Sequence, residues 1–86
     1  MSDWFVYIVR CADDTLYTGI AMDVVRRIDE HNLDDRLAAK YTRARRPVAL
    51  VYEEKCASRS AAAKRESQIK KLSKPQKETL ILAASI

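Results

Sequence analysis

Glycine is nearly absent from this chain: Gly19 is the only one in 86 residues. P-loops and dinucleotide-binding turns need two or three glycines at fixed spacing, so nucleotide cofactors held in that way are excluded. Histidine is as scarce, with His31 alone, and the only cysteines are Cys11 and Cys56. A closed structural zinc site needs four ligands at short spacing, which these three residues do not supply. Two cysteines do not make a disulfide framework either, and both read as reduced thiols at strand ends in a cytosolic protein. The longest apolar run, Trp4 to Val9, falls far short of the ~20 residues that cross a bilayer. Asp3 precedes it and no long apolar stretch follows, so neither a membrane span nor a secretory signal is expected, and the expected location is cytoplasmic.

What remains has the balance of a small globular domain. Hydrophobic residues make up 48% and charged residues 33% of the chain. The length allows one core, so residues 1–86 are expected to form a single domain that buries about 60–65% of its unfolded surface. Sixteen Lys and Arg against 12 Asp and Glu give a net charge of +4, and the sequence pI is near 9.3. That balance favours an anionic partner.

The pattern predicts an α+β fold. Trp4-Phe5-Val6-Tyr7-Ile8-Val9 is aromatic and β-branched and reads as a buried strand. Asp13-Asp14 marks a turn, and Leu16-Tyr17-Thr18-Gly19-Ile20 reads as the returning strand of a hairpin. Asp23 is a candidate N-cap for an amphipathic helix over 23–32, with Val24, Val25 and Ile28 on its apolar side. A short helix is predicted from Leu37 to Ala44, stopped by Pro47. Val48-Ala49-Leu50-Val51-Tyr52 is a third strand. Ser58 or Ser60 caps a helix running to about Leu72. Ser73-Lys74-Pro75-Gln76 is a capping box that starts a last helix, whose Leu80 and Ile81 pack on the sheet. The order is ββα(α)βαα, one three-stranded antiparallel sheet flanked by helices.

Three features do not reduce at once to packing. Arg27 and His31 lie four apart on one flank of the first helix, in line with Asp23. Spacing alone is explained by an exposed Asp23–Arg27 ion pair and a solvated histidine. Glu66 borders the apolar stripe of Ala62 and Ile69 on the next long helix. A carboxylate there needs a cation, either Lys70 or Arg65 or a metal ion. Tyr7 and Tyr17 sit on paired strands where their hydroxyls can converge, and Gly19 follows Tyr17 by two. Buried tyrosines normally find a partner for the OH, and a lone strand glycine marks a close backbone or ligand approach.

Taken together, these residues resemble the GIY-YIG nuclease domain over roughly residues 3–82. The first motif is Val6-Tyr7-Ile8 and the second Tyr17-Thr18-Gly19. The likeness continues through Asp23, Arg26-Arg27 and His31-Asn32, then Arg65-Glu66, Ile69-Lys70, Leu72, Lys77 and Leu80-Ile81. The first motif's glycine is missing, with Phe5 ahead of Val6-Tyr7. The order of Tyr, Tyr, Arg, His and a distant helical Glu is specific where each short motif is not. Lys40-Tyr41-Thr42-Arg43 and Arg45-Arg46-Pro47-Val48 fit the small stand-alone bacterial subgroup, which is similar to the catalytic domain of the bacterial excinuclease and to intron-encoded endonucleases.

The resemblance implies a metal-dependent endonuclease acting on DNA, with a role in repair or processing. It implies Tyr7 as general base or water-orienting phenol and Tyr17 as the group positioning nucleophile or phosphate. It further implies Arg27 on the scissile phosphate, His31 assisting proton transfer, and Glu66 holding one Mg2+ or Mn2+. A Tyr7 base calls for a lowered pKa, which Arg27 or the metal would supply; His31 is the alternative base. Gly19, Lys40, Arg43, Arg45, Arg46 and Lys70 are expected at the DNA. Phosphate contacts of this kind give no base readout, so little sequence preference and single-stranded or branched substrates are expected. Room is left for a protein partner that supplies specificity, and for a non-catalytic nucleic-acid-binding module of the same fold. Glu53-Glu54-Lys55 also touches another nuclease signature, but solvated strand-end charges explain it.

Overall fold

The computed structural model describes residues 3–84; the two residues at each end of the expected 1–86 domain lie outside them. Three strands, β1 (Trp4–Arg10), β2 (Leu16–Ala21) and β3 (Ala49–Cys56), form an antiparallel sheet in the order β2-β1-β3. The helices are α1 (Val24–Leu33), α2 (Lys40–Arg43), α3 (Arg59–Lys70) and α4 (Lys74–Ala84). The predicted α+β order is therefore the observed one.

β1 is central, and Val6, Tyr7, Ile8 and Val9 are all buried because both faces of the sheet are covered. Tyr7, Val9 and Cys11 pack on one face with Val24 and Ile28 of α1 and with Val48. Val6, Ile8 and Tyr52 pack on the other with Ile69 of α3 and Leu80 and Ile81 of α4. Burying a side chain of this size stabilises by about 1.5–3 kcal/mol, so this one strand anchors both layers.

Local chemistry sets the boundaries. In the hairpin turn, Asp13 Oδ1 accepts from the Thr15 amide (3.1 Å) and hydroxyl (2.6 Å). Asp14 next to it takes the left-handed φ of 67° that a short polar residue tolerates. Asp23 caps α1 by accepting from Arg26 N–H at 3.1 Å, and Ser58 caps α3 through Ala61 N–H at 3.1 Å. The Ser73–Gln76 capping box is reciprocal, with Ser73 N–H to Gln76 Oε1 at 2.9 Å and Gln76 N–H to Ser73 Oγ at 3.3 Å. Cys11 and Cys56 are free thiols.

Two boundaries differ from expectation. The segment predicted as helix over Leu37–Ala44 is helical only at Lys40–Arg43. Asp34 holds its approach open instead, its carboxylate accepting from the Arg36 and Leu37 amides at 2.9 Å each. β3 runs on to Cys56, because Glu53, Glu54, Lys55 and Cys56 pair with Tyr7, Val6, Phe5 and Trp4. Glu54 is tied down by the Tyr52 hydroxyl (2.6 Å) and by Arg65 (3.2 Å), which gives the Glu53-Glu54-Lys55 segment a structural purpose.

Candidate active site

Register brings the two tyrosines to one region. Tyr7 pairs across the hairpin with Gly19, and Val9 pairs with Tyr17. Cross-strand partners share a face, so Tyr7 and Tyr17 both point toward α1. Gly19 is buried, and a Cβ built on it would lie 2.5 Å from Tyr7 Oη and 2.7 Å from Cζ. The close approach this glycine permits is that of the Tyr7 ring.

His31 closes the site from α1. It is completely buried, not solvated as its helical spacing suggested. Tyr7 Oη and His31 Nε2 are 2.7 Å apart. On the opposite side of the ring, Nδ1 lies 2.8 Å from Thr42 Oγ1, and the Thr42 hydroxyl lies 3.0 Å from Ala39 O. The Tyr17 ring stands edge-on to His31 at 5.5 Å and stacks on Tyr41 at 5.8 Å, and the Arg45 guanidinium sits 3.9 Å over Tyr41.

Arg27 does not pair with Asp23. Its Nη1 donates to Glu30 Oε1 (2.9 Å) and to Leu37 O (2.8 Å), and its positive charge acts on the Tyr7 phenol. Its spacing from Asp23 is misleading because the Asp23 carboxylate is committed to the helix cap. Burial pushes the Tyr7 phenol up to about 12, against the lowering effect of Arg27, while the negative charge of Glu66 adds to the rise. The lowered phenol expected of a general base is thus not present in the free protein. Burial, with Arg27 and Arg46 nearby, pushes His31 down to about 4, so at neutral pH it is an uncharged imidazole able to accept a proton.

Glu66 is half-buried on α3 and lies 3.5 Å from Lys70. Arg65, the alternative partner, turns to Glu54. Among the described residues, no three of His, Cys, Asp and Glu gather at one point. A lone carboxylate does not make a zinc cage. It does fit a hard divalent ion such as Mg2+, which keeps several waters and takes further oxygens from a substrate phosphate.

The basic residues separate into two kinds. Lys40 and Arg43 are exposed and form no ion pair among the described residues, and Lys70 is exposed beside Glu66. Arg45 and Arg46 are instead tied to the fold by their own contacts. Arg45 donates to Asp13 (3.1 Å) and Tyr41 O (2.9 Å), and Arg46 donates to His31 O and to Asp35, both at 2.6 Å. Thr42, Tyr41 and Asn32 enter the sequence reading only through the resemblance and without a role; the Asn32 side-chain amide brackets Val48 (2.7 and 2.9 Å) and ties the approach to β3 to α1. Only the Lys40–Arg43 resemblance points toward the α2 segment.

The family model described as the GIY-YIG catalytic domain matches residues 3–79. The chain is 59% identical over 81 residues to a UPF0213 protein of Desulfotalea psychrophila, covering 94% of this chain and 73% of that one. It is 50% identical over 80 residues to a UPF0213 protein of Natronomonas pharaonis, covering 93% and 92%. Its fold is similar to the solution NMR structure of a UPF0213 protein of Bacillus halodurans, with TM-score 0.59 and 40% identity over 94% of this chain and 84% of that one. It is also similar to the NMR structure of a protein of E. faecalis, with TM-score 0.64 and 38% identity over 96% and 86%. The match over residues 3–79 and the identity of 50–59% to these relatives show that the chain belongs to the GIY-YIG nuclease superfamily, among its small UPF0213 members.

Proposed function

We propose that this protein is an endonuclease that hydrolyses DNA phosphodiester bonds, using one Mg2+ or Mn2+ and showing little sequence preference. Single-stranded or branched DNA is the substrate class, and repair or processing in the cytoplasm is the role. The observation that carries the reading is the convergence on one hydroxyl. Tyr7 Oη is 2.7 Å from His31 Nε2, and the charges of Arg27 and Glu66 both act on it. A module that only binds nucleic acid needs no carboxylate among its phosphate contacts.

Each residue then has a role that its surroundings suit. Arg27, held by Glu30 and Leu37 O, offers the rest of its fork to the scissile phosphate. Tyr7 orients the attacking water and takes its proton, passing its own to His31 Nε2. In the free protein this transfer is strongly uphill, since the phenol is raised and the imidazole lowered. Substrate changes that balance. A phosphate against Arg27 neutralises a charge that disfavours an imidazolium, so binding itself makes His31 a better acceptor. Tyr17, edge-on to His31, positions the nucleophile or phosphate. Glu66 would hold the metal, which supplies charge neutralisation on the phosphate and its leaving oxygen. The competing Lys70 contact is long, at 3.5 Å, with the Lys70 ammonium exposed, so Lys70 would hold Glu66 only weakly against a divalent ion. Lys40, Arg43 and Lys70 grip the backbone. A protein partner is the natural source of any further specificity.

The test is one cleavage assay. Protein with Mg2+ or Mn2+ meets single-stranded, duplex and branched DNA and RNA, with Glu66→Ala and an EDTA control alongside. Metal-dependent DNA cleavage that disappears in Glu66→Ala while DNA binding persists is the expected result. Cleavage by Glu66→Ala at the normal rate would remove the metal assignment. Binding without cleavage under every condition would leave a non-catalytic module or an enzyme that needs its partner.

A further inference from the structure

Thr42 is fully buried, has no place in the machinery described above, and touches His31 from behind. We propose that Thr42 is a positioning residue that holds His31 as the Nδ1–H tautomer, leaving the Nε2 lone pair free to accept the Tyr7 phenol proton.

Counting protons decides between the tautomers. A threonine hydroxyl has one proton to donate. The Thr42 hydroxyl is 3.0 Å from Ala39 O, a carbonyl that can only accept, so that proton is committed there. The contact between Thr42 Oγ1 and His31 Nδ1 at 2.8 Å then needs its proton from the ring. With Nδ1 protonated, Nε2 is bare, and the 2.7 Å contact with Tyr7 Oη runs from phenol to imidazole. The result is a directed chain: Tyr7 O–H to His31 Nε2, His31 Nδ1–H to Thr42 Oγ1, Thr42 O–H to Ala39 O.

The opposite tautomer fits worse on two counts. It takes the Thr42 proton away from Ala39 O. It points His31 Nε2–H at the phenol oxygen, so the phenol proton loses His31 as its acceptor. Its one gain is the Ala39 N–H to Nδ1 contact, and at 3.5 Å that is too long to compete. The groups facing His31 agree. Arg27 and Arg46 are donors or cations, Glu30 is engaged with Arg27, and Tyr17 presents its ring. Thr42 is thus the neutral acceptor available to Nδ1, and the ring nitrogen facing the phenol is set by what the other nitrogen holds.

The kinetic consequence rests on the nuclease reading; the tautomer itself does not. His31 is the only histidine in the chain, so one imidazole spin system appears in a long-range 1H–15N spectrum. Wild-type protein is expected to show Nδ1 as the protonated nitrogen. Thr42→Val, which keeps the shape and removes the oxygen, is expected to shift the ring toward Nε2–H or a mixture. In the cleavage assay, Thr42→Val should lower kcat about 10-fold or more with little change in KM, as expected when proton transfer is impaired. Thr42→Ser should restore both the tautomer and most of the lost rate. An Nε2–H ring in the wild type, or an Nδ1–H ring that persists in Thr42→Val with full kcat, overturns the proposal. If Thr42→Val does not fold, the wild-type spectrum and Thr42→Ser decide it alone. A tautomer that responds as expected in a protein that cleaves nothing would instead count against the nuclease reading.

Discussion

Tyr7 lies across the face of Gly19, its partner on the neighbouring strand, so closely that the hydroxyl occupies the space a Cβ would need. The single glycine of the chain stands where the phenol must cross the edge strand to reach His31. Gly19→Ala puts a methyl group 2.5 Å from Tyr7 Oη. The ring cannot rotate away freely, because its hydroxyl is held by His31 and it is packed under α1. The expected outcome is a displaced Tyr7, a loss of about 1–3 kcal/mol from overpacking, and cleavage impaired far more than DNA affinity. A melting curve beside a cleavage and binding assay on the same variant checks this. An alanine variant with wild-type turnover would mean that the position of Tyr7 is not critical.

Tyr7→Phe separates the hydroxyl from the ring. The ring's packing with Val9, Val24 and Ala21 is kept, so the strand stays folded. What is lost is the hydrogen bond to His31, leaving a buried ring nitrogen unsatisfied at a cost of about 1–3 kcal/mol. Cleavage is expected to disappear while DNA binding stays within a few-fold of wild type. A Tyr7→Phe variant that cuts at a comparable rate would transfer the general-base role to His31 alone.

Much of this is legible in the sequence, for definable reasons. Asp23, Ser58 and the Ser73–Gln76 pair act over two or three residues, so their caps can be read directly. The hairpin is equally local. The His31 environment is not. Its burial depends on α2, which is far along the chain and only four residues long, and on Thr42, whose side chain is unremarkable until the fold sets it against the ring. Helical spacing puts Arg27 in reach of both Asp23 and Glu30, and only the structure shows that the cap has already claimed Asp23. The end of β3 escapes a sequence reading because Glu53-Glu54-Lys55 has no strand propensity of its own; pairing with β1 makes it a strand.

The depressed His31 gives stability a definite pH dependence. In the unfolded chain this side chain titrates near 6.5, and in the fold it is pushed down to about 4. Between those values the unfolded state binds a proton and the folded state does not, so stability rises with pH. The contribution is complete above about pH 6.5 and is lost as pH falls toward 4, amounting to at most about 3 kcal/mol at ~1.4 kcal/mol per pH unit. The carboxylates held down by partners act lower, Glu78 from the bottom of that window downward and Asp13, Asp14 and Asp34 below it. Urea denaturation at pH 7 and pH 5 is therefore expected to show a clear loss at the lower pH, and His31→Gln should remove most of the difference. Equal stability at both pH values would mean that His31 is reached by water and protonated in the folded state.

Lys40 and Arg46 belong to one basic stretch of sequence, yet their surroundings assign them different work. The Lys40 ammonium is exposed, with no ion pair among the described residues, so replacing it with alanine is expected to leave the fold untouched and, on the proposed reading, to remove one phosphate contact. DNA affinity should fall for every sequence alike, and the slope of log K against log salt should shrink by about 0.7–0.9. Arg46 donates at 2.6 Å to the carbonyl oxygen of His31 and at 2.6 Å to Asp35, fastening the end of α1 to the start of β3. Charge-assisted bonds of this kind contribute about 1.5–3 kcal/mol. Arg46→Ala should therefore lower the melting temperature and disturb His31, with a salt slope close to wild type wherever the protein remains folded. Measuring both variants by melting and by salt-dependent DNA binding separates the residue that meets DNA from the one that supports the site. A salt slope that fell in Arg46→Ala and not in Lys40→Ala would reverse the assignment and move the DNA path to the α1–β3 junction.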